Sequence, residues 1–196
     1  MRGTAEETRR RILKAAGRLF YDHGIRNVSV DAVAEEAEVT KRTIYYHFKG
    51  KDALVAAYLE ARNAPVLAGL QRAMTSVEGS AIEQTKALFA MLAEQVKSPA
   101  WKGCPFARAV AELPAELDHP ALEIAANHKS AFEAWLRERF AADGFDDPSL
   151  LARQILVLLD GAITEMLIHR DPAYAEAAAA AAATLLSTRS ANVHGR

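Results

Sequence analysis

With 196 residues, 51% hydrophobic and 25% charged, the chain is long enough to bury a sizeable core and has the balance of an ordinary globular protein. Cys104 is its one cysteine, which excludes an intrachain disulfide framework and fits a reducing compartment, and no apolar run nears the roughly 20 residues of a membrane span. The net charge of −1 hides a division: residues 1–50 hold ten Lys and Arg against seven Asp and Glu, a surplus of +3, and the remainder carries −4, the asymmetry expected of a polyanion-binding end.

The opening segment carries charge with no apolar run behind it, so it does not read as a signal peptide, and a cytoplasmic protein without membrane contact is expected. Thr4 and Glu7 form a capping box for a first helix running to about His23. Ile12, Ala16, Leu19 and Phe20 share one face of it, Arg9, Arg10, Arg11, Lys14 and Arg18 spread over the others, and Gly24 is placed in a left-handed cap. Ser29 caps a second, short helix that buries Val33, Ala34 and Ala37 and stops near Glu38. Thr40 caps a third that runs to about Lys49 and is closed by Gly50. A fourth runs from Lys51–Asp52 towards Met74, with Pro65 expected to kink it.

Further along, residues 81–97 are predicted helical. A proline-rich break follows, with a short helix at 105–113 inside it. Residues 120–141 form a long amphipathic helix, Asp143 to Pro148 a turn cluster, and residues 149–170 and 173–188 a last helical pair. No strand and no solenoid repeat is evident. The predicted fold is all-α.

The stretch VTKRTIYYHFKGK, Val39 to Lys51, concentrates cations and aromatics on one short helix. At about 100° per residue, Ile44 and Phe48 share one side with Tyr45 at its edge, and Arg42, Thr43, Tyr46 and His47 point away. The short linking turn and the small Ala34 on the preceding helix give helix-turn-helix geometry, in which the second helix enters the DNA major groove. Lys41 and Arg42, at that helix's N-terminal end, suit guanine O6 and N7, and Thr43 suits a thymine methyl. Tyr46, His47 and Lys51 suit phosphate oxygens, with hydroxyl contacts from Ser29 and Thr40. An exposed basic helix that is merely solvated has the same composition, and spacing alone leaves both readings open.

SVDAVAEEAEVTKRTIYYHFKGKDALVAAYL, Ser29 to Leu59, resembles the signature of the tetracycline-repressor-like (TetR) family of transcription regulators. RRRILKAAGRLFYDHGIRNVSV before it is similar to that family's first helix and turn. The resemblance is specific over about residues 8–59 and sharpest from Thr43 to Lys51. Beyond residue 60 it is one of architecture, although GCPF, AELP, HP, HK and DGA look like recurring features of one branch. It implies a DNA-binding domain over 1–51 and an effector-binding and dimerisation domain over 52–196. It also implies a homodimer that sets its third helices in successive major grooves of a palindromic operator in double-stranded DNA. Release by a small amphipathic or aromatic effector would make the protein a repressor. Carried over, Lys41, Arg42, Thr43 and Tyr45 match base-proximal positions; Ser29, Tyr46, His47 and Lys51 match phosphate contacts. Glu38 departs from the pattern, standing where the family usually has Gly. Either it accepts a positive φ at a cost of order 1 kcal/mol, or the turn is shaped differently.

In the C-terminal part, LLARQILVLLDGAITEMLIHR is apolar over most of its circumference and AYAEAAAAAAATLL offers a small-residue face. Together, about residues 149–188, they suit a four-helix dimer interface, against the alternative of packing only within the subunit. Phe89, Met91, Leu92, Trp101, Phe106, His128, Phe132, Trp135 and Met166 are candidates for lining an effector pocket, although their helical spacing fits ordinary core equally. Cys104 reads as structural before it reads as a sensor. No metal-ligand spacing, cofactor motif or nucleophile–base pair is evident, so neither metal nor cofactor is expected and an all-α enzyme is disfavoured. A DNA-binding architectural protein without an effector remains the main rival.

Overall fold

The computed structural model describes residues 4–113 and 118–189. Pro114 of the AELP stretch and the outermost residues of both expected domains lie outside them. The described residues form nine helices and no strand: α1 (Ala5–His23), α2 (Val30–Glu36), α3 (Lys41–His47), α4 (Lys51–Thr75), α5 (Ala81–Gln95), α6 (Pro105–Glu112), α7 (Pro120–Ala142), α8 (Pro148–His169) and α9 (Ala173–Arg189). The fold is all-α, as expected.

Helix starts follow side-chain caps. Thr4 Oγ1 accepts from the Glu7 amide at 3.2 Å while Glu7 Oε2 accepts from the Thr4 amide at 2.7 Å. Ser80 and Glu83 make a second reciprocal box before α5. Ser29, Thr40 and Asp147 cap α2, α3 and α8 through the amides of Ala32, Thr43 and Leu150. Such caps each contribute about 0.5–2 kcal/mol. They matter most for α2 and α3, each of 7 residues, because isolated helices below about 12–15 residues are marginal in water.

Three local expectations are corrected. Ala15 joins Ile12, Ala16 and Phe20 in the buried face of α1, where Leu19 is only partly covered. Gly24 has the positive φ expected (85°), but its ψ of 153° is extended, not left-handed helical. An added Cβ there would lie 2.9 Å from Glu112 Oε2, so the end of that side chain would have to shift. Finally, α3 stops at His47, because Phe48 turns to extended backbone (φ −139°, ψ 132°) and its ring is buried.

The chain packs into two compact units, one formed by residues up to Pro65 with Cys104–Asn127, the other by Val66–Gly103 with residues from His128 onward. The boundary expected at 51/52 coincides with the start of α4, whereas the first unit continues to Pro65 and takes in α6. Through Pro65, where a kink was expected, α4 runs on as one helix.

In the first unit Ile12, Ala16, Val33, Ile44, Leu54, Leu59 and Phe106 are buried, and Phe20 meets Tyr58 edge to face at 5.6 Å. From α6, Arg108 Nη1 donates to the Tyr21 carbonyl at 2.7 Å and Glu112 Oε2 accepts from the Arg26 amide at 3.1 Å. The second unit is built on Leu88, Phe89 and Leu92 of α5, Phe132, Leu136 and Phe140 of α7, and Leu151, Ile155, Leu159 and Met166 of α8. Ala175, Ala182 and Leu186 of α9 complete that core. After α8 the chain turns at Arg170 in a left-handed conformation, and its guanidinium donates to the Trp101 carbonyl at 2.8 Å. Among the described residues no helix is long and apolar enough to cross a membrane.

Candidate nucleic-acid interface

Two short helices and the turn between them form the candidate site. α2 ends at Glu36 with Ala37 as its C-cap, Glu38 takes φ 53°, and the Val39 amide returns to the Ala34 carbonyl at 2.9 Å. Of the two alternatives at Glu38, the turn therefore adopts the positive-φ form. A left-handed residue other than glycine costs about 1–2 kcal/mol, so something else must hold this conformation.

Ile44 on α3 and Phe48 just after it are buried, and their anchoring fixes what faces outward. Tyr46 is 81% exposed and Tyr45 50%; Lys41 and Arg42 are exposed, and Thr43 and His47 partly so. The His47 ring lies 5.1 Å from that of Tyr46, edge on. Ser29 and Lys51 flank this helix in sequence within the same unit. All nine sequence-predicted DNA-contact residues therefore belong to one compact unit, six of them on α3 outside its buried side.

Several of these groups are already engaged. Lys41 Nζ donates to Asp31 Oδ2 at 2.8 Å, and that carboxylate, by hydrogen bond and by charge, raises the pKa of the ammonium. Lys51 Nζ reaches the Arg26 carbonyl at 3.4 Å. The Ser29 and Thr40 hydroxyl oxygens accept the capping amides of Ala32 and Thr43, which leaves each O–H proton to donate elsewhere. The Thr40 and Thr43 hydroxyls are 2.8 Å apart, so one donates to the other and a single proton remains for an outside acceptor. Asp31 escaped the sequence reading as Lys41's partner. Asp31 lies in the first turn of α2, and pairing across a turn has no periodic signal.

The pocket candidates divide differently. Phe89, Leu92, Trp101, Phe132 and Met166 belong to the second unit's core, with Met91 and Trp135 packed against it. Phe132 and Trp135 stack at 5.9 Å. His128 is buried, and desolvation, helped by the Lys129 charge, pushes its pKa down to about 4, so the ring is neutral near pH 7. Lys129 pairs with Asp160. Phe106 is buried in the first unit, and the other candidates lie in the second. Thr85 Oγ1 and Gln154 Oε1, which sequence reasoning passed over, are buried without a hydrogen-bond partner among the described residues. Cys104 is the half-buried N-cap of α6 and makes no side-chain cap bond. Among the described residues no group of three or more His, Cys, Asp or Glu could hold a metal ion.

On α8, Val157 is 66% and Ile168 64% exposed, with Leu150 also open to solvent. Gly161 and Thr164 fall between them on the same face, and Ala173, Ala177, Ala180, Ala181 and Thr184 are exposed on α9.

The family model for bacterial regulatory proteins of the tetR family matches residues 12–58, the span from α1 into α4. The chain is 32% identical to SCO4454, a TetR-family transcriptional regulator from Streptomyces coelicolor; the match covers 94% of this chain and 97% of that one, with a TM-score of 0.79. A TetR transcriptional regulator from Streptomyces avermitilis is 30% identical over 93% of this chain and 97% of its own, with a TM-score of 0.80. The HTH-type transcriptional regulator YjdC of Escherichia coli is 26% identical over 162 residues, 83% of this chain and 84% of YjdC.

Proposed function

The chain belongs to the TetR family of bacterial transcriptional regulators and is not an enzyme; from that premise we propose that it is a homodimeric, ligand-responsive repressor in the cytoplasm. In this reading a palindromic operator is bound by α3 of each subunit and released when a small amphipathic or aromatic effector binds. The outward array of Arg42, Tyr45 and Tyr46 on a helix anchored by Ile44 carries the reading. Lys41, Arg42, Thr43 and Tyr45 face bases, and Ser29, Thr40, Tyr46, His47 and Lys51 face phosphates.

Residues of α8 and α9, about 149–188, form the subunit interface. Its support is the exposed Leu150, Val157 and Ile168 beside small α9 residues that permit close helix approach; a stable dimer buries about 2,000 Å² or more. An effector site is supported by the unsatisfied Thr85 hydroxyl and Gln154 amide oxygen, since buried polar groups are ordinarily paired. Phe89, Met91, Trp101, Phe132, Trp135 and Met166 supply apolar surface in the same unit, where His128 is a further candidate; Phe106, buried in the other unit, is left out of this site. Two elements can carry the signal: α4, and α6 with its bonds to the Tyr21 carbonyl and the Arg26 amide. A coupling of about 1–3 kcal/mol weakens operator binding roughly 5–150-fold, enough for a switch.

Binding to DNA from the protein's own promoter region, titrated against salt with competitor duplex, tests the reader. Steeply salt-dependent, sequence-specific binding that Arg42→Ala and Tyr46→Ala abolish is the expected result. Wild-type affinity in both variants would refute the assignment of α3.

A further inference from the structure

The left-handed Glu38 needs a support, and α1 supplies it. Arg11 Nη2 donates to the Ala37 carbonyl at 2.6 Å and to the Glu38 carbonyl at 3.0 Å, across 26 and 27 residues of sequence. Two neighbouring carbonyls are taken from within the turn, Ala34 by the Val39 amide and Glu35 by the Glu38 amide. One guanidinium thus holds two successive carbonyls on either side of the residue with positive φ. Arg18, two turns further along α1, pairs with Glu36 at the end of α2. At the other end of α3, the Arg9 guanidinium lies over the Phe48 ring at 5.2 Å. Arginines of α1 therefore bracket α3 at both ends.

We propose that Arg11 is a positioning residue for DNA reading. Its guanidinium stabilises the left-handed conformation that sets how α3 leaves α2, a conformation glycine would adopt unaided. The inference rests on α3 being the helix that meets DNA. It differs from a phosphate-contact role for Arg11: Nη2 is committed to the two backbone carbonyls, and because the guanidinium keeps further N–H donors, the salt dependence of binding is what separates the two roles. Fixed fork geometry matters here: a lysine keeps the charge but is a point donor on a flexible stem. Arg11 is exposed, so truncating it opens no core cavity and the variants should fold.

The test measures promoter-DNA affinity and its salt dependence for full-length wild type, Arg11→Ala, Arg11→Lys, Glu38→Gly, the Arg11→Ala/Glu38→Gly double variant and an Arg42→Ala control. Arg11→Ala should weaken binding about tenfold with an unchanged salt slope, and Arg11→Lys should recover little of that. Glu38→Gly alone should stay within about twofold of wild type, and in the double variant it should restore most of the lost affinity, the non-additivity expected of groups sharing one turn. A double variant as weak as Arg11→Ala overturns the proposal. So does a salt slope that falls by about 0.9 in Arg11→Ala, the mark of a lost phosphate contact, with Arg11→Lys near wild type. If Arg42→Ala binds like wild type, the reading of α3 itself fails and the proposal with it. If Arg42→Ala fails to bind and the double variant shows no rescue, only the role of Arg11 is lost.

Discussion

The two units are held together in different ways. In the first, short helices rely on single polar contacts over long stretches of sequence: Arg11 to the carbonyls of Ala37 and Glu38, Arg108 to Tyr21, and Glu112 to the Arg26 amide. In the second, helices of 15 to 23 residues pack Phe89, Phe132, Leu136, Phe140 and Met166 into a common apolar core. The reason is length. A seven-residue helix cannot present a wide apolar stripe, so caps and clamps define its position, whereas a long amphipathic helix is placed chiefly by burial, with contacts such as Arg170 to the Trp101 carbonyl and Arg139 to Gln84 Oε1 added to it. Geometry matters more where bases are read than where a core is filled, and hydrogen bonds are the directional interaction.

Breaking the apolar side of this contrast should give the largest effect. Phe132→Ala, at a fully buried site, is expected to cost about 3–5 kcal/mol in urea unfolding at fixed protein concentration; a loss below 1 kcal/mol would show that this core tolerates voids. Next comes pH. His128 has a folded pKa of about 4, below its unfolded value near 6.5, so the unfolded chain binds more protons between those values. Stability is therefore full above about pH 6.5 and declines as the solution is acidified towards 4, by about 1–2 kcal/mol at pH 5. His128→Asn should flatten that part of the pH profile, and an unchanged slope would place the titration elsewhere.

On the polar side, Ser29→Ala removes the cap of α2 and should lower stability by about 1 kcal/mol, with a larger fractional loss in DNA affinity than in unfolding free energy. Melting temperature and operator binding, measured together, check this. The smallest effect on stability is expected from Asp31→Asn, since an exposed ion pair contributes little. The freed Lys41 should nevertheless alter base preference next to Arg42. Selection of bound sequences from a randomised duplex pool would reveal it, and an identical consensus would mean that Lys41 does not reach the bases.

This difference also explains what could be read from the sequence. Thr4, Ser29, Thr40 and Gly24 announced the ends of the first helices because caps are local chemistry. Ile44 and Phe48 announced the buried side of α3 because helical periodicity is local too. The partnership of Lys41 with Asp31, the grip of Arg11 on the turn and the assignment of α6 to the first unit were not legible. Each joins residues that no periodicity relates, and Arg108 and Glu112 look like any charges on an amphipathic helix. The pocket candidates were ambiguous for another reason, since residues lining a cavity and residues filling a core recur at the same spacing. Phe89 and Phe132 lie in the core cluster, whereas Thr85 and Gln154, with their unpaired oxygens, carry no apolar signal.

The path of the chain between the units bears on how this regulator could be recombined. It passes from one to the other three times, at Pro65/Val66 within α4, at Gly103/Cys104, and at Asn127/His128 within α7. A chimera that grafts only the first fifty or so residues onto a foreign sensor domain would leave behind Arg108 and Glu112, and with them the bonds to Tyr21 and Arg26. Modular exchange of operator specificity therefore needs two segments moved together, residues up to Pro65 and Cys104–Asn127. Alternatively, the recipient must offer an arginine and a carboxylate of its own at the α6 positions.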